Sequence, residues 1–95
     1  MTPAIHPGRL LLRELAARDL SANHLAVNLG VPSGLITDIL NGRRSISADT
    51  ALRLGRYFSN YPQFWLELQG QFDIAMAERE HGEEIRKRVH PADAA

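Results

Sequence analysis

The chain has 95 residues, 44% hydrophobic and 23% charged, with eleven basic side chains, eleven acidic ones and no cysteine. That suffices for one small domain with one core, and it excludes a disulfide framework and a thiolate metal site. The zero net charge hides an asymmetry. Residues 1–60 carry seven arginines against four acids, and residues 61–95 carry four bases against seven acids, so the front half suits a phosphate-bearing partner.

The start, MTPAIHPGRLLLREL, lacks the basic lead and long apolar run of a secretory signal. No run reaches the length of a membrane span, so a cytoplasmic location and no membrane partner are expected. Leu11, Leu12, Leu15 and Ala16 recur at helical spacing and predict a first helix, with Pro7 in its first turn. A second helix follows Ser21, whose hydroxyl can cap an orphan backbone N–H. Leu20 and Leu25 can form a hydrophobic staple across its start. Leu25, Ala26 and Leu29 form its apolar face, and Gly30 ends it in the left-handed conformation.

Val31 and Pro32 alone separate Gly30 from a third pattern, in which Ile36, Ile39 and Leu40 are the buried stripe and Gly42 the stop. Two short helices joined by a tight, Gly-containing turn predict a helix-turn-helix. A fourth helix follows Ser47, with Ala51, Leu54, Gly55 and Phe58 on one face and Asp49 at its positive end. Tyr61-Pro62 opens a longer fifth helix. Beyond Ala77 the chain becomes strongly charged; Glu83–Lys87 and Glu84–Arg88 are helix-compatible pairs, while Gly82 and Pro91 weaken the helix. The expected division is a domain over 1–77, including a dimerising fifth helix, and a charged extension over 78–95, partly helical or disordered. Nothing reads as a strand, so the fold class is all-α.

If Ile36, Ile39 and Leu40 face inward, then Ser33, Gly34, Thr37 and Asp38 face outward and Leu35 lies at the boundary. The second helix of a helix-turn-helix presents its N-terminal residues to base edges in the major groove. Ser33 and Thr37 can donate or accept there, and Leu35 can touch a thymine methyl. Asp38 repels phosphate, which suits it to orienting an arginine or solvating the helix. Asn41, Arg43 and Arg44 at the helix exit fit phosphates, supplying affinity and register. Two plainer readings stand beside these: Arg43 and Arg44 as a solvated turn, and Thr37 bonded back to its own helix. Tyr61, Trp65, Leu68 and Phe72 are more large apolar residues than a fifth helix needs for so small a core, so they are placed at core and dimer seam. His6, His24, His81 and His90 show no metal-ligand spacing. No cofactor, metal site or catalytic constellation is expected, hence no enzymatic activity.

The stretch LSANHLAVNLGVPSGLITDILNGRRSISADTALRLGRYFSNYPQFWLELQ, with HPG before it, resembles the HigA antitoxins, a branch of the XRE/Cro-like helix-turn-helix superfamily. The resemblance runs from about His6 to Met76. NGRRSISADTALRL and FWLELQ carry most of its specificity. It implies a five-helix, lambda-repressor-like domain that acts as a homodimer, binds operator double-stranded DNA, represses its own operon and neutralises a RelE-like (HigB-type) mRNA-cleaving toxin. Ser21 and Asn23 join the phosphate candidates in that docking. The chain departs from the family pattern at Ala22, where a phosphate-clamping Gln is common, at Gly34, where longer polar side chains are usual, and at Tyr61, where Ser or Thr usually caps. Two alternatives stay open: a protein-interaction module with little DNA readout, and a stand-alone XRE-type repressor.

Overall fold

A computed structural model describes residues 4–92. Five α-helices follow one another, with no strand among the described residues: α1 Pro7–Ala17, α2 Ala22–Leu29, α3 Ser33–Leu40, α4 Ala48–Phe58 and α5 Pro62–Arg88. Each start has a local cause. Pro7 and Pro62 occupy first-turn positions, where the missing N–H costs nothing. Ser21 Oγ accepts from His24 N at 3.0 Å and Ser47 Oγ from Thr50 N at 3.2 Å, each removing one unpaired donor. The cap of α1 is unusual: His6 Nδ1 accepts from Gly8 N at 2.9 Å. Tyr61 caps α5 without any side-chain bond.

The stops are equally local. Gly30 sits at φ +71°, and Val31 N donates back to Ala26 O at 3.0 Å. Gly42, at φ +73°, does the same for α3, with Arg43 N donating to Asp38 O at 2.8 Å. Only Gly takes this conformation without a steric cost.

α3 packs on α1 and α2, α2 also on α4, and α5 on α4 and α1. Leu11, Leu15, Leu25, Leu29, Ile36, Ile39, Ile46, Leu54 and Trp65 fill the space between them. Burial of each large side chain stabilises the fold by about 1.5–3 kcal/mol. In α1 the inner stripe is Pro7, Gly8, Leu11 and Leu15. Leu12 is 51% exposed and Ala16 also faces out, so the expected four-residue stripe is rotated by one residue. The closest approach is at Gly8, where a Cβ would stand 2.0 Å from the Ile39 carbonyl oxygen. A glycine there lets the start of α1 seat against the end of α3.

Trp65 is a correction. It is 1% exposed within its own chain, ringed by Phe58 and Phe64, and its Nε1 donates to Asn60 Oδ1 at 3.0 Å. It is a core residue and has no surface to give to a dimer seam. Leu68 and Phe72 are half-buried; Phe72 meets the His6 ring edge-on at 5.0 Å. Of the four seam candidates, only Tyr61, 81% exposed, is open to solvent. Trp65, Leu68 and Phe72 turn toward the rest of the chain, while Leu66 and Ile74, like Tyr61, are open to solvent on the outer side of α5.

The expected division after Ala77 falls inside α5, which runs unbroken through Gly82 to Arg88. Its outer half carries surface ion pairs, Arg88–Glu84 at 3.4 Å and Arg86–Glu78. Glu83 and Lys87 form no ion pair among the described residues. Residues 93–95 of the expected extension lie outside the described residues.

Candidate nucleic-acid interface

The α2–turn–α3 unit is built as its sequence pattern demands. Ile36 and Ile39 are fully buried and anchor α3, while Ser33, Gly34 and Thr37 are exposed on its other side. Leu35 and Asp38 are half-buried. Pro32 precedes α3 without a side-chain cap, and no acid lies in its first turn, so its leading end is open to an electron-rich partner. Thr37 Oγ1 donates to Ser33 O at 3.1 Å. Its proton is spent within the helix, which leaves the hydroxyl as an acceptor.

Asn41, Arg43, Arg44 and Ser45 are exposed in the turn after α3. Neither arginine forms an ion pair among the described residues, whereas Arg18 pairs with Glu14 and Arg53 with Asp49. Two adjacent unpaired cations have no ion pair to break before meeting a phosphate. At the start of α2, Asn23 is exposed and Ser21 spends a lone pair on its cap. Ala22 is partly buried against the core, so the position after Ser21 serves packing. The structure thus brings Ser33, Gly34 and Thr37 together on one open face, with Asn41, Arg43 and Arg44 beyond its far end. Ser21 and Asn23 sit at the start of the preceding helix.

Two residues that the pattern of the sequence does not single out hold this unit in place. Arg53 Nη1 donates to Leu29 O at 2.8 Å and Gly30 O at 3.4 Å, while its Nε reaches Asp49 Oδ1 at 2.7 Å. A cation at the carbonyl end of α2 is favoured by about 0.3–1 kcal/mol, and it ties the turn to α4. The Asp49–Arg53 spacing is visible in the sequence; the reach to Leu29 is not. Buried Gln69 accepts from Ile46 N at 2.8 Å and donates to Asp73 Oδ1 at 2.9 Å. It fixes the loop that carries Arg43 and Arg44 onto α5. Gln69→Leu leaves the Ile46 N–H buried and unpaired, so we expect a loss of about 1–3 kcal/mol in urea unfolding. An unchanged midpoint would show that this N–H is hydrated.

Among the described residues no three His, Cys, Asp or Glu side chains come close enough to hold a metal ion, and no helix is long and apolar enough to cross a membrane.

No protein-family profile matches the chain. Individual proteins do. Virulence-associated protein I of Dichelobacter nodosus is 48% identical over 79 residues, covering 82% of this chain and 73% of that protein. The structure of Pseudomonas aeruginosa antitoxin HigA with the higBA promoter superposes with a TM-score of 0.90 at 42% identity, over 93% of this chain and 97% of that one. An addiction module antidote protein of the HigA family from Coxiella burnetii superposes with a TM-score of 0.93 at 50% identity, over 96% of this chain and 100% of that one. With half its residues shared across the whole length of such a relative, and the same five helices, the chain belongs to the HigA family of helix-turn-helix antitoxins.

Proposed function

We propose that this protein is the antitoxin of a type II toxin–antitoxin system, that as a homodimer it binds operator DNA and represses its own operon, and that it neutralises a RelE-like, mRNA-cleaving toxin. The observation that carries the DNA part is α3: apolar side buried, polar side open, and an unpaired Arg43–Arg44 turn at its exit. The Pseudomonas aeruginosa relative is an antitoxin with a promoter, which supports the same docking. Ser33, Gly34, Leu35, Thr37 and Asp38 then face bases, and Ser21, Asn23, Asn41, Arg43 and Arg44 face phosphates. A dimer places two α3 helices about 34 Å apart, one helical turn of a palindromic site. Exposed Leu66 and Ile74 on the outer side of α5, together with Tyr61, are the apolar residues that suit a second copy.

The toxin part rests on charge. Residues 67–84 hold six acids and one arginine, and a ribonuclease that grips RNA is basic, so α5 suits it electrostatically. Gly34, which offers no side chain for base readout, favours a second reading in which the chain neutralises a toxin and barely reads DNA. A salt titration on the duplex upstream of the coding frame separates the two. The double variant Arg43→Ala, Arg44→Ala removes four phosphate contacts per dimer. It should flatten the dependence of log affinity on log salt by roughly 3–4, on operator and random duplex alike. An unchanged slope sinks the docking; failure of the wild type to shift that duplex, with co-purification of a small basic protein, favours the second reading.

A further inference from the structure

The open face of α3 holds two hydroxyls, and they are not equivalent. Ser33 and Thr37 are both exposed. A free serine hydroxyl turns to donate or accept as its partner requires, so Ser33 sets no direction. Thr37 Oγ1 already donates to Ser33 O at 3.1 Å. A hydroxyl has one proton and two lone pairs, so with that proton held in the helix, the oxygen is left to accept.

The energies favour keeping it so. Swinging the proton toward a base gives up one hydrogen bond to form another, a near-even exchange. Accepting from a base keeps the internal bond and adds a second. The difference is one hydrogen bond, a bias of about two- to tenfold in affinity. The next residue acts in the same sense. The Asp38 carboxylate can only accept and forms no ion pair among the described residues. Its negative potential beside Thr37 favours a donor there and opposes an electron-rich acceptor. Major-groove edges divide by this criterion. Adenine N6 and cytosine N4 are amino donors, whereas the polar atoms of guanine and thymine only accept.

We propose that Thr37 is a specificity-determining acceptor that takes a hydrogen bond from the exocyclic amino group of an adenine or cytosine in each operator half-site, its direction set by the Thr37–Ser33 bond within α3. The inference rests on the DNA-binding reading above. Its test measures the affinity of wild type, Thr37→Val and Thr37→Ser for the upstream duplex, for each of its single-base-pair variants, and for a random duplex of equal length. Valine keeps the shape of threonine without the hydroxyl; serine keeps the hydroxyl. At one position per half-site, wild type and Thr37→Ser should prefer adenine or cytosine over guanine or thymine by about two- to tenfold. Thr37→Val should lose that preference there alone and bind the random duplex unchanged. The base so identified is then replaced by its analogue without the amino group, purine for adenine or 2-pyrimidinone for cytosine. The wild type should bind that duplex about two- to tenfold more weakly, and Thr37→Val should not distinguish it from the native one.

Several results overturn the proposal. A valine variant that keeps every base preference shows that Thr37 does not read bases. A lost preference for guanine or thymine makes the hydroxyl a donor. A serine variant that loses the preference makes the methyl the reader. An amino-free base that costs the wild type nothing removes the partner, and a valine variant weakened equally on random DNA acts through the fold or the phosphates. None of these touches the DNA-binding reading. That reading fails separately if the wild type does not prefer the upstream duplex to the random one, and the proposal then falls with it.

Discussion

Trp65→Ala is expected to lower the free energy of unfolding by about 3–5 kcal/mol, the largest single loss in the molecule. The indole is the largest side chain fully enclosed in the core. Its removal loses the transfer energy of a bicyclic ring and leaves a cavity between α4 and α5 that Phe58 and Phe64 cannot fill without leaving their own places. It also strands Asn60 Oδ1, the acceptor of the indole N–H. A domain of this size has only about 5–14 kcal/mol in all, so the variant should sit at the edge of folding, with a urea midpoint far below wild type. Trp65→Phe, which keeps an aromatic ring, should recover part of the loss. The same experiment separates core from seam. A seam tryptophan would yield a folded monomer and a stability change that depends on protein concentration; a core tryptophan yields a loss at every concentration.

Gly8→Ala should also destabilise, against the usual rule for a glycine in a helix. Alanine is worth up to about 0.5–1 kcal/mol as a helix former. Here the added methyl would stand 2.0 Å from the Ile39 carbonyl oxygen, a backbone atom that cannot rotate aside. Overpacking of this kind costs about 1–3 kcal/mol, occasionally more, and the rigid partner puts this site at the upper end. The clash therefore wins. Because Ile39 is one turn from Gly42 and Arg43, α1 can relieve it only by lifting from the end of α3, and the basic turn should shift with it. Thermal unfolding and DNA affinity should fall together. Gly8→Ala with wild-type melting would mean that α1 and α3 are less tightly joined than the structure has them. At Gly34, in the first turn of α3, nothing lies within 4 Å of where a Cβ would stand, so the same substitution there should stabilise rather than destabilise.

Much of the helix-turn-helix was legible because its signals are local. Ser21, Gly30, Ser47 and the Ile36–Ile39 pair act within four residues of themselves, and a caps-and-stripes reading finds them. α1 was legible as a helix but not in its rotation, since Leu11 and Leu15 pack equally well in a stripe with Leu12 or with Pro7 and Gly8. Only the neighbour, the Ile39 carbonyl, decides. The misplacement of Trp65 has the same origin. An apolar stripe on a long helix says that something covers it, not whether the cover is the same chain. Gln69 and Arg53 were illegible for a different reason. Their partners, Ile46 and Leu29, lie more than twenty residues away, and a lone Gln or Arg on a helix does not advertise what it reaches.

The unbroken run of α5 to Arg88 has a consequence for how the molecule loosens. At about 1.5 Å per residue, its 27 residues extend about 40 Å, well past the core, giving the molecule a long dimension of 52 Å against 25 and 24 Å. The inner half is packed on the core, whereas the outer half adds to its own backbone hydrogen bonds only surface charge pairs, whose small contribution fades as ionic strength rises, so the two ends of one rod should obey different thermometers: one set by oil-like cohesion, the other partly by the surrounding electrolyte.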